Sequence, residues 1–285
     1  MSDISLLSIV RGRRDHLDNL LRGVARQTRP PKEVILVFMN EAQPDQLPDP
    51  GCKTYMYSIN SPEHTLPLAA ARNKAAAQAS GEILAFLDVD CIPAPDYLDL
   101  LGSAVRKTRA LIMGDVRYLG EGSVEEDWTA EKLEDVALSH PRRPIIPDGR
   151  DLLPLPYHLF WSLSFGIYAK DFARLGGFDT DYQGYGGEDT DFSFTARQIR
   201  LPLFACRARA FHQFHPSYSP PYNHLQDIVA NAVRFHDKWQ VWPMEGWLKE
   251  FDREGFIAWK ANTIRILKPV DDATLEAARS ESPFG

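Results

Sequence analysis

The sequence predicts an α/β protein with a mostly parallel sheet that is flanked by helices on both faces. In the first third of the chain, short apolar runs alternate with longer segments whose apolar residues recur three or four positions apart. Apolar runs are typical of strands covered on both sides, and the wider spacing is typical of helices. The resulting β-α-β-α-β order favours a parallel sheet, because helices then carry the chain back between neighbouring strands.

The elements of this first part follow from the spacing of its apolar residues. Leu17, Leu21 and Val24 recur at helical intervals, whereas residues 34–39 are apolar throughout. Residues 40–67 hold five prolines and are predicted to be irregular. The predicted strands are residues 4–10, 34–39, 83–87 and 110–113, and the predicted helices are residues 15–26, 68–79 and 96–107.

The second part of the chain is less regular. Residues 161–168 are rich in aromatic side chains and are predicted to form a strand. Residues 140–156 hold five prolines and are predicted to form a long surface loop. Glycine-rich turns precede a predicted helix at residues 188–199, and residues 223–239 carry the apolar stripe of an amphipathic helix. Residues 241–285 are predicted to be a helical C-terminal extension.

Composition and charge narrow the class of protein. The chain has 285 residues, 44% of them apolar and 25% charged, which is an ordinary globular composition. The longest unbroken apolar run is residues 34–39, far shorter than the ~20 residues that span a bilayer, and the first residues lack the basic start of a signal peptide. The net charge of −7 disfavours a general polyanion binder, so no nucleic-acid partner is expected. The sparse cysteines Cys52, Cys91 and Cys206 indicate a reducing compartment, the cytoplasm.

The sharpest local motif is Asp88-Val89-Asp90, directly after the strand predicted at residues 83–87. Ligands of open α/β sheets bind at the carboxyl ends of strands, and side chains two positions apart on a strand point to the same side. Two carboxylates there make a hard oxygen site suited to Mg²⁺ or Mn²⁺, which usually takes its other ligands from water and substrate phosphates. The alternative is that a D-x-D pair occurs in a loop by chance.

A second motif places Glu188, Asp189 and Asp191 directly after Gly186 and Gly187. Three carboxylates in four residues would repel a phosphate, but they suit a general base or hydrogen bonds to the hydroxyls of a neutral acceptor. Acidic residues are also favoured in the first turn of any helix, through capping and the helix dipole. Both interpretations stay open on the sequence alone.

Histidines form a third feature, Phe211-His212-Gln213-Phe214-His215. A histidine between aromatic residues is more often buried than a ligand, and His-x-x-His without further ligands nearby is a poor zinc pattern. One imidazole added to Asp90 would nevertheless make a mixed nitrogen and oxygen site for Mn²⁺. The sequence does not decide between His212 and His215.

Several polar and aromatic residues have both a structural and a functional interpretation. Arg72 either lies on an exposed helix face or reaches a phosphate or the D-x-D loop. Trp161, Tyr182 and Tyr185 either stack on a sugar ring or belong to the core, where most aromatic side chains lie.

Together these motifs resemble the family 2 glycosyltransferases of GT-A fold, a Rossmann-like architecture, over roughly residues 4–240. The second motif is also similar to that of the β-1,4-galactosyltransferases and chondroitin polymerases. The stretches that carry the resemblance are residues 8–10, 26–35, 71–74, 80–90, 175–179, 184–192 and 212–213.

The resemblance implies roles for the matching positions. Asp88 would lie near the ribose and metal, Asp90 and His212 would bind Mn²⁺ or Mg²⁺, and Asp189 would be the catalytic base. The remaining implied contacts are Arg72 with the nucleotide, and Glu188, Gly187, Tyr185 and Trp161 with the acceptor. Two departures fall on the donor side. Glu41 alone is acidic where the family usually has an acidic pair, and Arg11-Gly12-Arg13 replaces Pro-Thr-Tyr, so that these arginines are candidates for the diphosphate.

The resemblance therefore implies a metal-dependent transferase that moves a sugar from a nucleotide sugar, most simply a UDP-sugar, to an acceptor hydroxyl. Inversion at the anomeric carbon is favoured, and retention is the alternative, since the polypeptide N-acetylgalactosaminyltransferases carry a related acceptor motif and retain configuration. Residues 1–115 would bind the donor, residues 116–240 the carbohydrate or glycoconjugate acceptor, and residues 241–285 would form the extension. The alternatives are an inactive sugar- or nucleotide-binding protein on this fold and a sugar nucleotidyltransferase. Peripheral association with a membrane-bound acceptor stays open.

Overall fold

The computed structural model describes residues 3–61 and 65–284, in which a ten-stranded mixed sheet lies between layers of helices. The strands are β1 (Ile4–Val10), β2 (Glu33–Met39), β3 (Lys53–Ile59), β4 (Ile83–Leu87), β5 (Cys91–Pro93), β6 (Leu111–Tyr118), β7 (Leu138–Ser139), β8 (Leu152–Pro154), β9 (Ser164–Tyr168), β10 (Leu203–His212), β11 (Ser217–Tyr218), β12 (Ile257–Lys260), β13 (Thr263–Ile266) and β14 (Arg279–Ser280). The helices are α1 (Arg14–Ala25), α2 (Leu68–Gln78), α3 (Tyr97–Thr108), α4 (Ala130–Val136), α5 (Ala169–Leu175), α6 (Glu188–Gln198), α7 (Leu225–Trp239), α8 (Glu245–Arg253) and α9 (Asp272–Ala277). This is the α/β class that the sequence predicts.

The main sheet runs in the order β3-β2-β1-β4-β9-β6-β10-β5. Strands β3, β2, β1 and β4 are mutually parallel, and β6 and β10 are also parallel. Strand β9 is antiparallel to both β4 and β6, and it joins these two parallel groups. The carboxyl ends of β1, β4 and β6 therefore meet at one edge of the sheet.

The apolar runs of the central strands are covered on both faces. Leu6 and Leu36 belong to the core on one side of the sheet, and Leu7 and Ile35 belong to the core on the other side. Successive side chains of a strand alternate between faces, so a strand that serves two cores carries apolar residues at both alternating sets of positions. The residue spacing thus explains why the predicted strands at residues 4–10, 34–39 and 83–87 are observed.

Strand β3 corrects the prediction that residues 40–67 are irregular. It pairs along its whole length with β2, although residues 62–64 lie outside the described chain. The side chains of β3 are only partly buried, as expected for an edge strand, so their polar composition hides the strand from a search for apolar runs.

Strand β10 is a second element that the sequence analysis did not identify. It pairs with β6, β5 and β8, and its register shifts between Ala205 and Arg209. The irregularity and the arginines of this strand interrupt the alternation that marks a strand. Residues 140–156, predicted to be a long loop, contain the short strand β8.

Helices α7 and α8 pack with the β12–β13 hairpin into a further core that contains Ile228, Leu248 and Phe251. The chain then returns, so that β14 pairs with β11 close to the end of β10. Across the described chain, no helix combines the length and apolar character that crossing a membrane requires. The thiols of Cys52, Cys91 and Cys206 are free.

Candidate functional site

Asp88 and Asp90 follow β4 at the edge of the sheet where its parallel strands end. The Asp88 N–H donates to the carbonyl of Leu163, just before β9, at 2.9 Å. Asp90 is buried and its carbonyl accepts from the N–H of Gln213 at 2.7 Å. The motif is thus fixed by backbone bonds to two distant segments, one of which carries the histidines.

Asp90, His212 and His215 offer three ligand atoms that all lie within 4.8 Å of one another. The two Nε2 atoms are each 3.6 Å from an oxygen of the Asp90 carboxylate. Pairing of β10 with β5 sets His212 opposite Cys91, the residue after Asp90, and so produces this arrangement. The structure brings both candidate histidines to the aspartate rather than one.

The protonation states of this group suit a divalent cation. Burial lowers the pKa of His212 to about 4 and also lowers the pKa of His215, so both imidazoles are neutral at pH 7. Burial alone would raise the pKa of Asp90, but its interactions with His212 and Arg13 hold it below its ordinary value. Within the described chain, Nδ1 of His212 is also buried without a hydrogen-bond partner. A carboxylate with two neutral imidazoles fits Mn²⁺ better than Mg²⁺, which prefers oxygen ligands.

Arg13 contacts this group directly, whereas the sequence analysis placed it only as a candidate for the diphosphate. Its guanidinium donates from Nη1 to Oδ2 of Asp90. The residue precedes α1 in the left-handed region, with φ of 57°, directly after Gly12 at 61°. Such a backbone conformation is rare outside glycine, and here it accompanies the contact of the Arg13 side chain with Asp90.

The predicted donor residues Arg11 and Glu41 lie just after β1 and β2, respectively, and each bonds the end of the other strand's segment. Arg11 donates to the carbonyl of Met39 at 3.1 Å, and the Glu41 carboxylate accepts from the Gly12 N–H at 2.6 Å. The ends of β1 and β2 are therefore tied together beside the aspartates.

Arg72 joins the two acidic motifs. It is only 4% exposed, and it donates to the Glu188 carboxylate at 3.2 Å and to the Asp88 carboxylate at 3.4 Å. The next residue, Asn73, donates to the carbonyl of Phe178 and accepts from its N–H, both at 2.8 Å. Helix α2 therefore fixes the second motif against the first.

The carboxyl groups at this junction resist ionisation. Burial raises the pKa of Asp88 to about 6, and burial together with the Asp189 charge raises the pKa of Glu188 to about 7. Burial also raises the pKa of Asp189, whose Oδ1 accepts from the Thr190 N–H at 2.6 Å. Raised values of this kind match a group that has to take up a proton near neutral pH.

The third carboxylate of the second motif has a different environment. Asp191 is 2% exposed and accepts from the Tyr182 hydroxyl at 3.1 Å and from Trp239 Nε1 at 2.7 Å. Lys238 of α7 also bonds it, at 2.9 Å. Asp191 therefore anchors α6 to α7, and Tyr182 is a core residue.

The glycine-rich turn before α6 is held by α7. Asp227 accepts from the Tyr185 N–H at 3.2 Å, and Asn231 donates to the Tyr185 carbonyl at 3.3 Å. Tyr185 is 37% exposed and stacks on His224 with a centroid separation of 4.6 Å. Gly187 has a φ of 92°, which a residue with a side chain rarely adopts.

Trp161 lies beside His140 and Arg143. The guanidinium of Arg143 is 4.0 Å from the Trp161 ring centre, and the His140 ring meets Trp161 edge-on at 4.9 Å. The ring centre of Tyr118 lies 5.4 Å from that of His140 and 4.9 Å from that of His212, so this aromatic cluster reaches the group formed by Asp90, His212 and His215.

Comparison with known families agrees with this arrangement. The family model described as Glycosyl transferase family 2 matches residues 5–172. A second model, described as the N-terminal domain of galactosyltransferase, matches residues 152–216, which include the turn before α6. The two matches overlap and together cover both acidic motifs.

Sequence relatives include a glucosyltransferase and an O-antigen biosynthesis protein. Validoxylamine A glucosyltransferase of Streptomyces hygroscopicus subsp. limoneus is 27% identical over 233 residues, which is 72% of this chain and 51% of that protein. O-antigen biosynthesis protein RfbC of Myxococcus xanthus is 29% identical over 196 residues, 63% of this chain and 15% of that protein. The chain thus spans only about half the length of the first relative.

Solved structures show the same fold. GalNAc-T7 with UDP, GalNAc and Mn²⁺ aligns with a TM-score of 0.56 and 16% identity over 88% of this chain and 56% of that one. Staphylococcus aureus TarS 1-349 in complex with UDP aligns with a TM-score of 0.51 and 14% identity over 82% of this chain and 65% of that one. Because the family 2 match covers more than half of the residues, the chain belongs to glycosyl transferase family 2.

Proposed function

We propose that this glycosyltransferase transfers a sugar from a UDP-sugar to a hydroxyl of a carbohydrate or glycoconjugate acceptor, with inversion at the anomeric carbon. The observation that carries the proposal is the Arg72 bridge, in which one buried guanidinium pairs with Asp88 of the first motif and with Glu188 of the second. The sheet edge that is proposed to bind the nucleotide then lies beside the carboxylates that are proposed to serve the acceptor, Glu188 and Asp189. The solved structure of TarS with UDP and that of GalNAc-T7 with UDP and Mn²⁺ support a UDP-sugar as donor.

In this proposal residues 1–115 bind the donor. Asp90, His212 and His215 hold Mn²⁺, which when bound offsets the charge that develops on the departing diphosphate. Arg11 and Glu41 keep the loop after β1 in place, and Asp88 and Arg72 line the donor pocket. Arg13 balances the Asp90 charge when the cation is not bound.

Residues 116–240 bind the acceptor and supply the base, and residues 241–285 form an extension behind α7. Asp189 takes the proton from the acceptor hydroxyl while the hydroxyl oxygen attacks the anomeric carbon. The bond from that carbon to the diphosphate oxygen breaks with its electron pair leaving on UDP. One displacement of this kind inverts the configuration. Glu188, Gly187, Tyr185 and Trp161 orient the acceptor.

The proposal is tested with nucleotide sugars in the presence of Mn²⁺, scored for UDP or GDP release. Asp189→Asn is expected to keep UDP affinity and to lose about 10²–10⁴ of the turnover, the usual contribution of a general base. Asp181→Asn, an exposed loop carboxylate paired with Arg234, is the matched control and is expected to retain activity. Normal turnover of Asp189→Asn would remove Asp189 as the base.

Other outcomes point to other functions. UDP-sugar binding with neither transfer nor hydrolysis, under all conditions, would indicate an inactive binding protein. Pyrophosphate release from UTP and a sugar phosphate would indicate a nucleotidyltransferase.

Chelation with EDTA is expected to abolish transfer, and added Mn²⁺ is expected to restore it. The reason is that Asp90, His212 and His215 offer Mn²⁺ a carboxylate and two neutral imidazoles.

A further inference from the structure

A cavity of about 140 Å³ lies between β6 and the loop of residues 140–148, at the same edge of the sheet as the acidic motifs. Its lining contains three arginines and two aspartates, namely Arg117, Arg143, Arg207, Asp115 and Asp148. A cavity with this lining is suited to a small polar or charged group rather than to an apolar ligand.

Two of the three arginines in this cavity have carboxylate partners. Arg117 lies 3.4 Å from Asp115, and Arg207 lies 3.8 Å from Asp148. Arg207 also donates to the carbonyl of Pro147 at 2.7 Å. These two guanidiniums are therefore neutralised or used to hold the loop.

Arg143 differs from both of them. Its sequence neighbour Arg142 is exposed, but Arg143 is half-buried, with its guanidinium stacked on Trp161 and one nitrogen 3.7 Å from the sulfur of Met113. Its Nε is buried without a hydrogen-bond partner, and no carboxylate in residues 3–61 and 65–284 lies within ion-pair distance of it. The guanidinium is thus packed against Trp161 and Met113, while its charge has no carboxylate partner among the described residues.

An unpaired guanidinium in such a place needs an anion. Burial lowers the pKa of Arg143 to about 10, which still leaves it charged at neutral pH. Removing a charge from water is costly unless a counter-charge replaces the lost hydration. The planar fork of a guanidinium matches a carboxylate or a phosphate through two parallel hydrogen bonds.

The position of Arg143 points to the acceptor rather than to the donor. Burial raises the pKa of Asp189, and the Arg143 charge is among those that oppose this rise, so the guanidinium is within electrostatic reach of the proposed base. The donor's diphosphate belongs at the group formed by Asp90, His212 and His215, where Arg13 already supplies a cation. Arg143 packs on Trp161, which the proposed function assigns to the acceptor.

We propose that Arg143 binds a carboxylate or phosphate group carried by the acceptor, so that the enzyme glycosylates an anionic sugar or glycoconjugate. This inference rests on the proposed transferase function and names the substrate class of the same site. Trp161 keeps the guanidinium flat and in place, and the cavity beside β6 receives the charged group. Neutral acceptors leave the guanidinium without a partner and bind less tightly.

The test measures binding of matched probes in the presence of Mn²⁺ and saturating UDP. Methyl β-glucuronide is compared with methyl β-glucoside, and glucose 6-phosphate with glucose, by isothermal titration calorimetry, with each probe also titrated into Mn²⁺ and UDP without the protein. We expect at least one anionic probe to bind about tenfold or more tightly than its neutral parent, as charge-assisted hydrogen bonds allow. Arg143→Gln is expected to abolish the difference, Arg143→Lys to retain part of it, and Arg142→Gln, the exposed neighbour, to leave it unchanged.

Two results would overturn the proposal. Equal affinity of the wild-type protein for all anionic and neutral pairs removes the anion site without reference to any variant. A loss of UDP affinity in Arg143→Gln equal to its loss of probe affinity assigns Arg143 to the donor's diphosphate. The titrations need no turnover, so failure of this inference is distinct from failure of the transferase assay, which scores UDP release.

Discussion

Replacing Arg72 by methionine tests whether the bridge between the acidic motifs holds the site together. The substitution keeps most of the side-chain volume but leaves Asp88 and Glu188 without their buried cation. Removing one partner of a buried ion pair costs about 3–5 kcal/mol, since the other charge stays desolvated. For a chain of this size we expect the melting temperature to fall by about 6–20 °C near pH 8.

The loss should depend on pH in one direction. The pKa of Asp88 is already raised to about 6 and that of Glu188 to about 7, and loss of the Arg72 charge raises both further. A carboxyl whose pKa is higher in the folded state holds its proton longer there, so folding loses stability as pH rises through that value. The variant and the wild type should therefore differ least near pH 5.5, where both folded forms carry most of these protons, and differ most near pH 8.

Thermal unfolding followed by circular dichroism at both pH values provides the measurement. Arg253→Met is the matched control, because Arg253 is exposed on α8 and pairs with Glu250 of the same helix. The control is expected to melt with the wild type. Equal effects of the two substitutions near pH 8, or a larger Arg72→Met effect in acid, would refute a buried bridge at Arg72.

Two further predictions concern the loops around the site. Arg13→Gln should tighten Mn²⁺ binding in the absence of donor by about fivefold, because the guanidinium no longer competes for Asp90. Binding is measured by a manganese EPR titration. Unchanged or weaker binding would show that this competition does not exist. Gly184→Ala should destabilise the fold by about 2–3 kcal/mol in urea unfolding, since φ is +67° and the new Cβ, 2.1 Å from the Asp227 carboxylate, would displace it from the Tyr185 N–H. Gly149→Ala, with φ of +76° and nothing within 4 Å, should cost only the backbone part, about 1 kcal/mol, so equal losses would contradict steric crowding at Gly184.

Local patterns were sufficient to predict the central strands and the placement of the first acidic motif. Residues 83–87 form an apolar run, and the carboxyl ends of parallel strands are where ligands bind, so the sequence alone places Asp88 and Asp90 at the edge of the sheet. The second motif was also placed correctly at the start of α6. Its division into Glu188, which pairs with Arg72, and Asp191, which lies in the core, depends on contacts with α2 and α7. No local pattern reveals these contacts, although both helices were predicted.

Contacts between distant segments account for what the sequence analysis missed. His215 joins Asp90 because β10 pairs with β5, and β10 itself was missed because its bulge breaks the strand pattern. Arg13 meets Asp90 from 77 residues away, and Arg143 meets Trp161 through the fold of a proline-rich loop. An arginine on a loop has no sequence signal that distinguishes a solvated side chain from one that faces a site.

Helix α2 contacts residues that are translated more than 100 residues after it, and this separation has a consequence for folding during translation. Arg72 and Asn73 contact Glu188 and Phe178, which follow 116 and 105 residues later. A nascent chain on the ribosome therefore completes β1 to β4 while the cation on α2 still faces water. We expect proteases to cleave translation intermediates that end near residue 172, the limit of the family 2 match, and to spare those extended past α6.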